Sequence, residues 1–181
     1  MNERITGRGI VAAACLSLIA TAGPALAHDG AHVHAPGVLA GFLHPFGGLD
    51  HVAAAIVAGV LAARLGGRAR VAVPAVFLGS LVLSTMLAGT LGVPFAPETG
   101  IQLSIVALLA AAVFARPRPL AAATAVVAGA GAFHGLAHAA GVPQGAGMAG
   151  YVAGFTLATG LLQLAGFGAA TLARRWKTAG A

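Results

Sequence analysis

The sequence predicts an all-α integral membrane protein: a cleaved signal peptide followed by a compact bundle of about five transmembrane helices. Three observations carry this expectation. Hydrophobic residues make up 59% of the 181-residue chain and charged residues 8%, against about 25% charged in an ordinary soluble domain. So few charges cannot cover a surface in water, whereas a bilayer removes the need to. Five apolar stretches follow one another along the chain, and the basic residues between them fall only in alternate breaks.

The N-terminal element is read first. Arg4 and Arg8 form a positive opening, Ile10 to Ala20 is a short apolar run, and Pro24 breaks it. Ala25-Leu26-Ala27 then supplies the small-x-small cleavage pattern, so residues 1–27 are expected to be removed as a signal peptide. The single cysteine, Cys15, lies in that segment. The mature chain therefore has no thiol or disulfide chemistry. Residues 28–37 are expected to form a histidine-rich periplasmic tail containing His28, His32 and His34.

Spans are expected at about 38–63, 71–93, 98–115, 119–140 and 148–172, together a bundle over 38–172. Each is near the ~20 residues that cross the hydrocarbon core. Gly66-Gly67, Pro94 with Pro97, Pro117 with Pro119, and the Gly141–Gly147 stretch punctuate them. A signal peptide leaves the mature N-terminus outside. Five crossings then put residues 64–70, 116–118 and the basic tail 173–181 in the cytoplasm. Those segments hold Arg64, Arg68, Arg70, Arg116, Arg118, Arg174, Arg175 and Lys177, every basic residue of the mature chain. The positive-inside rule is obeyed throughout, which points to a multi-pass protein of a bacterial inner membrane, with Trp176 as an interface anchor. The net charge of +6, from ten basic and four acidic residues, thus reads as orientation. No basic face or aromatic platform suggests nucleic acid. No internal repeat stands out. Glycines four apart, Gly37/Gly41, Gly131/Gly135 and Gly150/Gly154, suit close helix approach.

Ionisable groups inside a bilayer are costly and mark function. His44, Asp50 and His51 lie in the first span, where Pro45 suits a helix start and Gly47-Gly48 a local break. A spacing of seven sets His44 and His51 on nearly one face if the segment is helical. His134 and His138 lie late in the fourth span, i and i+4, the geometry by which one helix offers two nitrogen ligands. Glu98 opens the third span. By the expected topology all six share the outer half of the membrane. Imidazole suits Ni, Cu, Zn and Fe, and carboxylates orient imidazoles from behind. His28, His32 and His34 are auxiliary candidates, weighed against a plain polar tail.

His44-Pro-Phe-Gly-Gly-Leu-Asp-His51 resembles the first-span signature of the HupE/UreJ family, and His134-Gly-Leu-Ala-His138 its fourth-span motif. Glu98 and the Gly154–Thr159 stretch also match, so the resemblance covers essentially the whole mature chain. It implies nickel, sometimes cobalt, uptake linked to hydrogenase or urease maturation, with His44, Asp50, His51, His134, His138 and Glu98 handling the metal. Gly141 stands where the family commonly has a glutamate, and Gln163 where it often has a histidine. Gln163 still offers a carbonyl oxygen and joins the auxiliary candidates.

The expected function is a secondary permease for a divalent transition metal, nickel before cobalt. The ion is substrate, no organic cofactor is expected, and the partners are the bilayer, the ion and, if it self-associates, a further copy of the chain. No phosphate-binding loop occurs. An enzyme is not expected, because the His134/His138 pair lacks the glutamate of the zinc-protease helix. The competing readings are a metal-binding accessory protein that moves nothing, and a b-type haem redox protein ligated by paired histidines.

Overall fold

The computed structural model describes residues 37–91, 98–114, 120–140, 142 and 147–179. The expected signal peptide and the tail histidines His28, His32 and His34 lie outside the described residues, as do Arg116, Arg118 and Gly141. All regular structure among the described residues is helical. In chain order it comprises α1 (Gly37–Leu43), a 3-10 turn (His44–Gly47), α2 (Leu49–Leu65), α3 (Ala69–Leu91), α4 (Glu98–Val113), α5 (Leu120–Ala140) and α6 (Met148–Ala179). Helices are the natural outcome for such apolar segments, because each satisfies its own backbone polar groups without water.

The first expected span is not one helix. α1 with the 3-10 turn and α2 meet at 86°. The cause is local. Pro45 sits in the first turn of the 3-10 segment and brings no N–H. Gly48 then adopts an extended conformation (φ −130°, ψ 122°) that ends one segment and starts α2. Among the described residues, three helices are long and apolar enough to cross a membrane, at Ala69–Ala88, Leu120–Ala139 and Met148–Trp176, with a fourth span if the bent pair counts as one. α4 is also apolar but has 16 residues. At the other end, the expected tail continues as helix to Ala179, since its Ala, Arg and Lys residues are good helix formers.

Glycines set the packing. A Cβ on Gly41 would collide with the Tyr151 backbone, and one on Gly154 with the Val38 carbonyl, so α1 and α6 touch main chain to main chain. Gly59 and Gly166 do the same for α2 against α6, and Gly131 and Gly135 for α5 against α3. The pairs singled out in the sequence therefore lie at two of these close crossings, α1/α6 and α3/α5, while Gly59/Gly166 adds the third. At the α2–α3 turn, Gly66 and Gly67 take φ of 69° and 49°, a region that residues with a Cβ seldom occupy. Small, aliphatic and aromatic side chains such as Ala54, Ala58, Phe77, Leu81, Leu108 and Phe155 fill the interior. Val71, Leu83, Leu103 and Leu164 project outward, as expected where lipid is the solvent.

Candidate metal centre

The bend between α1 and α2 creates the site. It carries His44 on the 3-10 turn and His51 on the first helical turn of α2, so the two approach from separate segments. His138 arrives from the last turn of α5. One nitrogen from each of His44, His51 and His138 can be chosen so that all lie within 4.8 Å of one another. The ring centroids are 4.7 Å apart for His44–His138, 4.8 Å for His51–His138 and 5.7 Å for His44–His51. Three nitrogens bound to one first-row ion at about 2.0–2.1 Å lie about 3–3.6 Å from one another, so the separations need to shorten by between about one and two ångströms.

Each ring is held in place. Asp50 Oδ1 accepts the Nδ1–H of His51 at 2.9 Å and also its backbone N–H at 2.9 Å. A carboxylate accepts there, so His51 presents the lone pair of Nε2, which is buried and has no hydrogen-bond partner. His138 stacks on Phe155 with centroids 4.2 Å apart and planes 6° from parallel. His44 meets Tyr151 edge-on at 5.6 Å. Thr85, fully buried on α3, shares its hydroxyl proton between the Leu81 carbonyl (2.8 Å) and the Gly135 carbonyl of α5 (2.9 Å). That bond ties α3 to α5 between the two α5 histidines.

The remaining sequence candidates take different positions. His134 is 1% exposed and stands outside the three-histidine group, one helical turn from His138. Its Nδ1–H donates to the Ala130 carbonyl at 2.9 Å, and its ring lies 5.1 Å from that of His51. A carbonyl only accepts, so Nε2 of His134 also carries a lone pair, buried without a hydrogen-bond partner. The i, i+4 pair thus straddles His51: one member in the group, the other beside it. Asp50 stands behind His51. Glu98 begins α4. Gln163 lies on α6 two turns beyond Phe155, about 12 Å along the axis. It is 2% exposed, and neither its amide oxygen nor its nitrogen has a hydrogen-bond partner.

Sequence reasoning missed Tyr151, Phe155 and Thr85. Tyr151 is the chain's one tyrosine, 1% exposed, with a hydroxyl that has no hydrogen-bond partner. A tyrosine within a span whose hydroxyl must find a partner was a usable signal. The arrangement as a whole offers imidazole nitrogens, a borderline donor set that favours divalent first-row transition metals over calcium or magnesium.

The comparisons with known proteins agree with the motifs. A family model described as "HupE / UreJ protein" matches residues 16–181. The chain is 38% identical over 161 residues to "Protein HupE" of Rhizobium leguminosarum bv. viciae, covering 86% of this chain and 82% of that relative. No solved structure matches.

Proposed function

Because the chain belongs to the HupE/UreJ family, we propose that it is a secondary permease for a divalent transition metal ion, nickel first and cobalt second, supplying metalloenzyme maturation. The observation that carries this reading is the convergence of His44, His51 and His138 from three segments onto one point inside an apolar bundle. Desolvated imidazoles gathered from distant parts of a chain are costly without a ligand to bind.

In this reading the ion enters from the periplasm past Glu98, with His28, His32 and His34 as a weak collecting tail. It is taken by His44, His51 and His138. His51 is the pivot: with Nδ1 committed to Asp50, its Nε2 stays in the ion's coordination while His134 replaces His44 and His138. Gln163 follows as a weak oxygen donor deeper along α6. A donor set that weakens inward suits an ion that has to be released as well as bound. The chain crosses the inner membrane five times, after removal of residues 1–27, with its C-terminus in the cytoplasm. The alternation of basic segments supports this topology.

A haem reading fits poorly, since imidazole rings in mutual contact leave no plane for a macrocycle between them. A metal-binding accessory role shares the same site and differs only in movement of the ion. The deciding experiment is uptake of nickel, cobalt and zinc by cells carrying wild type or His138→Ala. Nickel accumulation is expected to fall at least tenfold in the variant. Equal accumulation of all three ions by variant and wild type overturns the reading. Tight nickel binding by purified protein with no uptake in wild-type cells favours the accessory role.

A further inference from the structure

At the end of the bundle remote from the histidines, α3 begins and α6 ends side by side. Arg70 from α3 and Arg174 and Arg175 from α6 line one cleft of about 430 Å³. Phe167, Thr171 and Thr178 complete its wall. These three guanidiniums have no ion-pair partner among the described residues. The ion pair found among the described residues is His51–Asp50, and Asp50 belongs to the opposite end of α2. Like charges gathered at a low-dielectric boundary repel one another, and an anion between them relieves the repulsion. Guanidinium forks match phosphate oxygens two at a time, which is the geometry that converging arginines supply.

The surroundings identify the carrier of that phosphate. The apolar stretch of α3 starts at Ala69 and that of α6 closes at Trp176, so the cleft lies at the ends of both apolar stretches. Phe167 forms part of its wall, and Leu172 and Trp176 are 50% and 71% exposed at the same end. A soluble anion uses only the arginines, whereas a lipid also uses the apolar rim. We propose that this cleft binds the headgroup phosphate of an anionic phospholipid, gripped by Arg70, Arg174 and Arg175 with an acyl chain along Phe167. The site is independent of the metal reading. It clamps α3 to α6, the two longest helices, and so steadies the bundle from the end opposite the histidines.

Native mass spectrometry of the full-length protein in detergent, titrated with phosphatidylglycerol or phosphatidylcholine, tests it. Phosphatidylglycerol is expected to stay bound at least tenfold more tightly. The Arg70→Gln/Arg174→Gln/Arg175→Gln variant is expected to lose that preference. Arg64→Gln/Arg68→Gln, which removes two charges from the same end but outside the cleft, keeps it. Arg70→Gln alone weakens it several-fold and serves if the triple variant does not fold. Equal retention of both lipids, equal loss in the Arg64/Arg68 variant, or displacement of the lipid by millimolar inorganic phosphate overturns the proposal.

Discussion

Asp50 grips His51 twice, through the ring Nδ1–H and through the backbone N–H, each at 2.9 Å. The aspartate therefore fixes both the tautomer and the orientation of the ring most central to the cluster. Removing a carboxylate behind a metal-bound histidine typically costs ten- to a hundredfold in affinity. Asp50→Ala is expected to weaken nickel binding by that factor in calorimetric titration of the purified protein, with the other histidines intact. An affinity within twofold of wild type means that His51 needs no such support.

The pivot role of His51 separates capture from passage. His134→Ala is expected to leave nickel affinity within about threefold, because the three-histidine group is untouched, while lowering the uptake rate by about tenfold or more. His138→Ala is expected to lose both. Paired binding and uptake measurements on the two variants check this. Identical defects would mean that the α5 histidines act as one unit.

Gln163 trades stability for function in this account. A buried amide with neither end bonded costs about 1–3 kcal/mol relative to a satisfied group. Gln163→Leu fills nearly the same space without that burden. It is expected to raise the thermal unfolding temperature in detergent and to slow nickel uptake. A variant that transports at the wild-type rate removes Gln163 from the path.

The glycine crossings predict where bulk is tolerated. Gly154→Leu forces α6 away from the Val38 carbonyl, an overpacking change of about 1–3 kcal/mol or more. Because α1 leads directly into His44, nickel affinity falls with stability. Gly168→Ala on the same helix meets nothing within 4 Å and is expected to be neutral. Thermal melts with and without nickel distinguish the two.

Thr85 gives a subtler test. Thr85→Val keeps the shape but loses the bond to the Gly135 carbonyl. Interhelical hydrogen bonds in membranes are worth about 0.6 kcal/mol on average. A small drop in stability is expected, together with faster amide hydrogen exchange along α5 around Gly135. Unchanged exchange there means that packing alone holds the helix.

The helical segments from 69 onward were legible because apolar length and Pro/Gly punctuation are properties of one segment at a time. The starts of α4 at Glu98 and α6 at Met148 fall where the apolar stretches begin. Close helix approach was legible for the same reason at Gly131 and Gly135. The site was legible in composition but not in geometry. Spacing set His44 and His51 on nearly one face only if the segment was helical; the local break that Gly47-Gly48 also suggested is what forms, and an 86° turn at Gly48 brings the two together. Spacing also paired His134 with His138, yet only His138 joins the group, because the third ring comes from α2 and stands between their levels. Tyr151 and Phe155 enter through the α1/α6 crossing, a tertiary relation with no periodic trace. The missing partners of Gln163 depend likewise on what neighbouring helices fail to offer.

The two short helices carry a further consequence. α2 has 17 residues and α4 has 16, and they lie against each other. At 1.5 Å per residue they reach about 25 Å and 24 Å, less than the ~30 Å of a typical hydrocarbon core. Lipid meets such a mismatch by thinning. α2 is largely buried, so it is α4, with Leu103 and Val106 exposed, that presents the mismatch to lipid.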